Sequence, residues 1–144
     1  MASEVVEKRI KEHEGFSQEL YKDHLGFATI GHGHLITEND NFESGVTYPK
    51  AQLVELFKQD LARAEKETDE LIGHISELHN VARDCIIEMC FQLGKRGVQK
   101  FVKMLLALEE RDYKSASLEM LDSKWNKQTP KRCQELSRLM EHCQ

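Results

Sequence analysis

Glu14 to His34 reads Glu-Gly-Phe-Ser-Gln-Glu-Leu-Tyr-Lys-Asp-His-Leu-Gly-Phe-Ala-Thr-Ile-Gly-His-Gly-His. The run opens on an acid, Glu14, at a helix end marked by Gly15. Leu20–Lys22 and Phe27–Ile30 are predicted strands around the turn Asp23-His24-Leu25-Gly26, and a third strand is expected after Gly33. Gly31 and Gly33 alternate with histidines, which points to a bend or a close backbone approach and not to a phosphate loop. Two carboxylates thus fall in different settings, Glu14 at a helix terminus and Asp23 in a turn, with the Thr29 hydroxyl on the returning strand. Acid-catalysed cleavage of a glycosidic bond needs such a pair. One carboxyl must hold a proton near neutral pH while the other stays ionised, and burial and neighbouring charge set that difference.

Outward from this run the pattern is helical. Val6, Ile10 and His13 recur at helical spacing over Glu4–Glu14. Downstream, Thr37 to Asn41 and Ser44-Gly45 make a polar loop. Pro49 is expected in the first turn of a long helix running to about Leu71, before Gly73, with Leu53, Leu56, Phe57, Leu61 and Ala64 as its apolar stripe. Asn80–Leu93, Lys95–Leu108, Asp112–Leu121 and Thr129–His142 follow as predicted helices, the last with a Thr129 hydroxyl cap and Pro130 at its first position. The expected architecture is α+β, mainly α, in a single domain of residues 1–144. A small β-hairpin lobe (about 15–60) is joined by one long helix to a larger helical lobe (1–14 and 61–144). A cleft between such lobes suits an extended polymer.

Composition narrows the partners. The chain has 144 residues and a net charge of −5, from 20 Lys and Arg against 25 Asp and Glu. Nucleic-acid binding usually shows a basic surplus, so nucleic acid is not an expected partner. Lys95, Arg96, Lys100 and Lys103, and again Lys124, Lys127, Lys131 and Arg132, are local basic clusters that fit solvated helix faces. No apolar run is long enough to span a membrane, so stable membrane insertion is not expected. The first ten residues are charged from Glu4 onward and lack the apolar core of a secretory signal. Cys85, Cys90, Cys133 and Cys143 have no metal-ligand spacing. The first three are expected in the core, Cys143 at the surface, and all four reduced.

Several blocks carry a family resemblance. Glu14, Asp23 and Thr29 are followed at once by Ile30-Gly31-His32-Gly33-His34-Leu35. Further on come Leu56-Phe57-Lys58-Gln59-Asp60, Phe91-Gln92-Leu93-Gly94 with Gly97, Val98 and Phe101, and Trp125-Asn126-Lys127-Gln128-Thr129-Pro130-Lys131-Arg132. In this order, over nearly the whole chain, they resemble the phage-type lysozymes of glycoside hydrolase family 24. The resemblance implies a lysozyme-like fold and a muramidase cutting the β-1,4 bond between N-acetylmuramic acid and N-acetylglucosamine. By the family pattern Glu14 is the general acid, Asp23 the second carboxylate, and Thr29 the holder of the attacking water, with inversion expected at the anomeric carbon. Arg132 pairs with Glu14 and His34 with Asp60. Phe91 and Gln92 line the cleft, with Lys127 and Gln128 as further candidates for binding sugar.

The same resemblance implies bacterial peptidoglycan as the partner, with no metal or organic cofactor. It also implies a monomer made in a host cytoplasm, reaching the wall through a separate holin-type protein. Three departures stand out: His32 at a position usually apolar, Glu88 where an amide is usual, and a shortened loop where relatives often carry a helix. His24, His32 and His34 lack the acid or cysteine that would complete a zinc site. Trp125 is expected as a core anchor. The alternatives are a non-catalytic wall-binding or scaffold module on the same fold, and an effector toxin neutralised by an inhibitor protein.

Overall fold

The computed structural model describes residues 2–144. Helix α1 (Glu4–Glu14) starts at Ser3, whose Oγ accepts from the Val6 N–H, and carries Glu4 and Glu7 in its first turn. Both features suit the positive end of a helix. Val6 and Ile10 are buried. The helix stops at Gly15, at φ 71°, whose N–H closes onto the Lys11 carbonyl.

Strands β1 (Ser17–Lys22), β2 (Ala28–Gly31) and β3 (His34–Leu35) form one antiparallel sheet in that order. Tyr21 pairs with Thr29, Thr29 with Leu35, and Ile30 with His34, with an irregularity in β1 between Ser17 and Tyr21. β1 therefore begins three residues before the expected Leu20. Residues 36–49 form turns and irregular chain, as the polar composition foretold. Tyr48 fastens this loop: its ring meets Phe42 edge-on at 4.8 Å, and its hydroxyl accepts from the Glu43 N–H.

Helix α2 (Lys50–Ile72) links the sheet to the helical part, with Pro49 just outside it as the N-cap and not inside its first turn. Its buried stripe is Leu53, Phe57, Leu61, Ala64, Thr68 and Ile72; Leu56 lies beside the stripe, half-buried. The stripe runs onto α3 (Asn80–Gln99), and these two helices share the most extensive packing in the chain. Gly94, at φ 74° and ψ 166°, kinks α3. The helix expected over Lys95–Leu108 is divided at a separate point. Residues 95–99 continue α3, the chain breaks at Lys100 and Phe101, and α4 (Val102–Glu109) begins. The break brings the Phe101 ring to 6.1 Å from Trp125.

α5 (Tyr113–Leu121) is capped by Asp112, α6 (Lys124–Gln128) by Ser123, and α7 (Pro130–Glu141) closes the fold. The short α6 had no periodicity to announce it. Thr129 does not cap α7 as expected; its hydroxyl instead accepts from the Gln92 amide. Pro130 is at the first turn, as foreseen.

Ile86, Ile87, Met89, Met104, Leu108, Met120, Leu136 and Met140 fill the core between α2, α3, α5 and α7, all without exposed surface. Each such side chain contributes about 1.5–3 kcal/mol relative to exposure. All four cysteines are free and buried, Cys143 included: just beyond α7, it packs into the core cluster. The expectation of a surface Cys143 was therefore wrong. Among the described residues no helix is long and apolar enough to cross a membrane.

Candidate active site

Between sheet and helices lies a cleft of about 1030 Å³. Glu14, Asp23, Thr29 and Arg132 all line it, together with His34 and Asp60 further along. The run that ends α1 and builds the sheet thus delivers three candidate side chains to one space, and α7 returns the fourth.

Glu14 is the last residue of α1 and is largely buried. Its Oε2 accepts from Arg132 Nη1 at 3.0 Å. Burial raises its pKa, the Arg132 charge and hydrogen bond oppose that, and the net result stays above the ordinary value. A carboxyl so placed keeps its proton to higher pH than a surface glutamate, as a general acid must. Gly33 explains the glycine alternation seen in the sequence. It sits at φ 74°, and a Cβ there would stand 2.5 Å from Glu14 Oε1. The bend exists so that bare backbone can pass beside the acid.

Asp23 shapes its own turn. Its Oδ1 accepts the N–H groups of Leu25 and Phe27, both at 2.9 Å, which fixes the carboxyl and leaves Oδ2 without a protein donor among the described residues. Thr29 is buried and its hydroxyl donates to the Phe27 carbonyl at 2.9 Å. With its proton spent there, the oxygen presents only lone pairs to the cleft, so it can accept from a water but not donate to one. Tyr21 faces both carboxyls; its own pKa is raised by burial and by Glu14 and Asp23.

His34 pairs with Asp60 through Nδ1 at 2.7 Å, and Nε2 also meets Asp40 at 3.0 Å. Asp40, a partner unforeseen from the sequence, ties the irregular loop to the sheet. His32 hydrogen-bonds the Gly15 carbonyl at 2.8 Å and packs between Phe16 and Phe57, so it is a packing residue whose pKa burial lowers. Among the described residues no group of three or more candidate ligands could hold a metal ion.

The candidate sugar contacts fare unevenly. Gln92 and Gln128 line the cleft. Gln92 is held at both ends of its amide, accepting from Trp125 Nε1 at 2.9 Å and donating to Thr129 at 3.2 Å. Phe91 also lines the cleft but is only 7% exposed, and its ring lies 5.5 Å from that of Phe57. Lys127 is exposed and outside the cleft lining, where Lys131 stands instead. Trp125 is buried, as expected.

Sequence reasoning missed the support beneath Glu14. Glu88 is fully buried and does not line the cleft. It accepts from Arg9, His13 and Arg132. A carboxylate in the apolar run Cys85-Ile86-Ile87-Glu88-Met89-Cys90-Phe91 was the available signal, because a buried charge demands partners.

The family model described as Phage lysozyme matches residues 11–141. A probable T4-type lysozyme of Dictyostelium discoideum is 31% identical, covering 94% of this chain and 93% of that protein. The peptidoglycan hydrolase gp36 of Pseudomonas phage phiKMV is 27% identical over 88% of this chain, though that stretch is only 14% of its own length. The pre-baseplate central spike protein Gp5 of Enterobacteria phage T4 is 28% identical over 91% of this chain and 26% of its own.

Proposed function

The chain belongs to the phage lysozyme family, and from that premise we propose that it is a muramidase, hydrolysing the β-1,4 bond between N-acetylmuramic acid and N-acetylglucosamine in bacterial peptidoglycan. The observation that carries the reading is Glu14, a largely buried acid with raised pKa that lines one cleft with Asp23 and Thr29. Glu14 protonates the leaving glycosidic oxygen. The Asp23 carboxylate stabilises the positive charge that develops on the sugar ring. A water donating to Thr29 and to Asp23 keeps a lone pair free to attack from the face opposite the leaving group, which inverts the anomeric carbon.

Arg132 holds Glu14 in place. Gln92, fixed by Trp125 and Thr129, offers a rigid amide edge to the glycan. Relatives named as lysozyme and peptidoglycan hydrolase come from Dictyostelium discoideum and from a phage, and both names support wall-degrading chemistry.

Soluble muropeptide release from purified peptidoglycan tests the reading, using the wild type and Glu14→Gln after both are shown to fold. Release with reducing muramic ends by the wild type, abolished in the variant, is expected. A folded wild type inert on several wall types would sink the enzymatic reading in favour of a wall-binding module.

A further inference from the structure

Glu88 lies in the middle of α3 with no exposed surface, yet three side chains donate to it. Arg9 Nε reaches Oε1 at 2.6 Å, while His13 Nδ1 at 2.6 Å and Arg132 Nε at 2.8 Å share Oε2. His13 continues through Nε2 to Glu135. The Arg132 guanidinium is thereby divided: its Nε edge is spent on Glu88 and Nη1 alone is turned to Glu14. As a stabilising device such a cluster is weak, since apolar replacements of buried ion pairs are often neutral or better. Its geometric product is a guanidinium of fixed orientation whose charge is shared between two acids.

We propose that Glu88 is a positioning residue for Glu14: it clamps Arg132 by the Nε edge and offsets the guanidinium charge, so that the acid is held without being stripped of its proton. This rests on the muramidase reading of Glu14. The charged and titratable groups facing the pair are few. Behind Glu14 stand Arg132 of α7, His13 of its own helix and Glu88 of α3; across the cleft are Tyr21 of β1 and Asp23. Glu88 itself meets Arg9, His13 and Arg132, and Glu135 meets only the far side of His13. In this set Arg132 and His13 pull the Glu14 pKa down, and burial and Glu88 push it up. Burial likewise opposes the ionised form of Glu88, but its three donors outweigh that and bring it to about 2. Glu88 therefore remains an anion throughout the range in which Glu14 changes state.

Glu88→Gln keeps shape and acceptor oxygen while removing the charge. Unbalanced, Arg132 then acts on Glu14 alone. The alkaline limb of kcat/KM for peptidoglycan is expected to move about one pH unit toward acid, with KM at the acidic optimum unchanged. Carboxyl 13C NMR should show the Glu14 titration moving in the same direction, and Glu88→Asp should return the limb toward its wild-type position. A purely structural Glu88 would lower the melting temperature of the Gln variant and leave both limb and titration where they were, which overturns the proposal. Should Glu88→Gln fail to fold, the wild-type NMR titration decides: a Glu88 carboxyl that takes up a proton alongside Glu14 refutes the assignment. A wild type that releases no muropeptides refutes the muramidase reading instead, and the Glu14 titration still reports whether Glu88 controls it.

Discussion

Replacing Gly33 with alanine probes the acid site through a single methyl group. Two costs follow from the geometry. At φ 74° an L-residue is in the left-handed region, which costs about 1–2 kcal/mol and lowers the melting temperature by about 5 °C in a chain of this size. The second cost falls on function. The new Cβ would lie 2.5 Å from Glu14 Oε1 and 2.7 Å from its Cδ, so the carboxyl must retreat by about 1 Å to reach ordinary contact. A displacement of that size at a reacting group lowers kcat about 100-fold. Gly45→Ala is the control: it carries a similar backbone strain at φ 79° with nothing within 4 Å of the added methyl. Muropeptide release at saturating substrate, beside thermal melts of both variants, separates the two costs. Gly33→Ala is expected to lose both stability and kcat, and Gly45→Ala only stability. Wild-type kcat in a folded Gly33→Ala would refute the claim that the glycine exists to admit the acid.

His34 links stability to pH. Its pKa is raised, first by Asp60 and then by Asp40, against burial, so its contribution is full below the unfolded value near 6.5 and is lost as pH rises through the higher folded value. The melting-temperature advantage of wild type over His34→Gln should therefore shrink from pH 6 to pH 9; an advantage that grows would contradict the pairing. Burial pushes the Cys85 thiol up to about 12 and those of Cys90 and Cys133 to about 11. Cys143 is also raised by burial. Titration with a thiol-specific disulfide reagent at pH 8 should find all four unreactive in the native protein and all four reactive in denaturant; a rapidly modified native thiol would place Cys143 at the surface after all.

What was legible in the sequence was local. Gly15 ended α1, alternation and the Asp23 turn marked the hairpin, and Pro130 opened α7, because each signal acts within a few residues of itself. The misses share another cause. Thr129 had the chemistry of a cap, but a neighbouring helix offered the Gln92 amide and took the hydroxyl. Lys95–Leu108 had uninterrupted helical periodicity, yet Phe101 is drawn toward Trp125 and the chain breaks there. Cys143 looked terminal and exposed until α7 packed. Lys127 and Lys131 are one turn apart, and only the helix boundary at Thr129 decides which of them meets the cleft. At the candidate site, Glu14, Asp23 and Thr29 were visible through family spacing, whereas the role of Glu88 depends on which helices lie opposite it.

The support for Glu14 comes from far along the chain: Arg132 lies 118 residues after it, and Glu135 is 122 residues after His13. Glu14, Asp23 and Thr29 have all been synthesised by residue 29, but the Arg132 that holds Glu14 arrives only with α7. Long-range closures of this kind are the slow steps of folding. A nascent or truncated chain ending before Thr129 therefore lacks both the Arg132 partner of Glu14 and the Glu135 partner of His13. Partial products of synthesis or proteolysis would hold the sequence motif without the support beneath it.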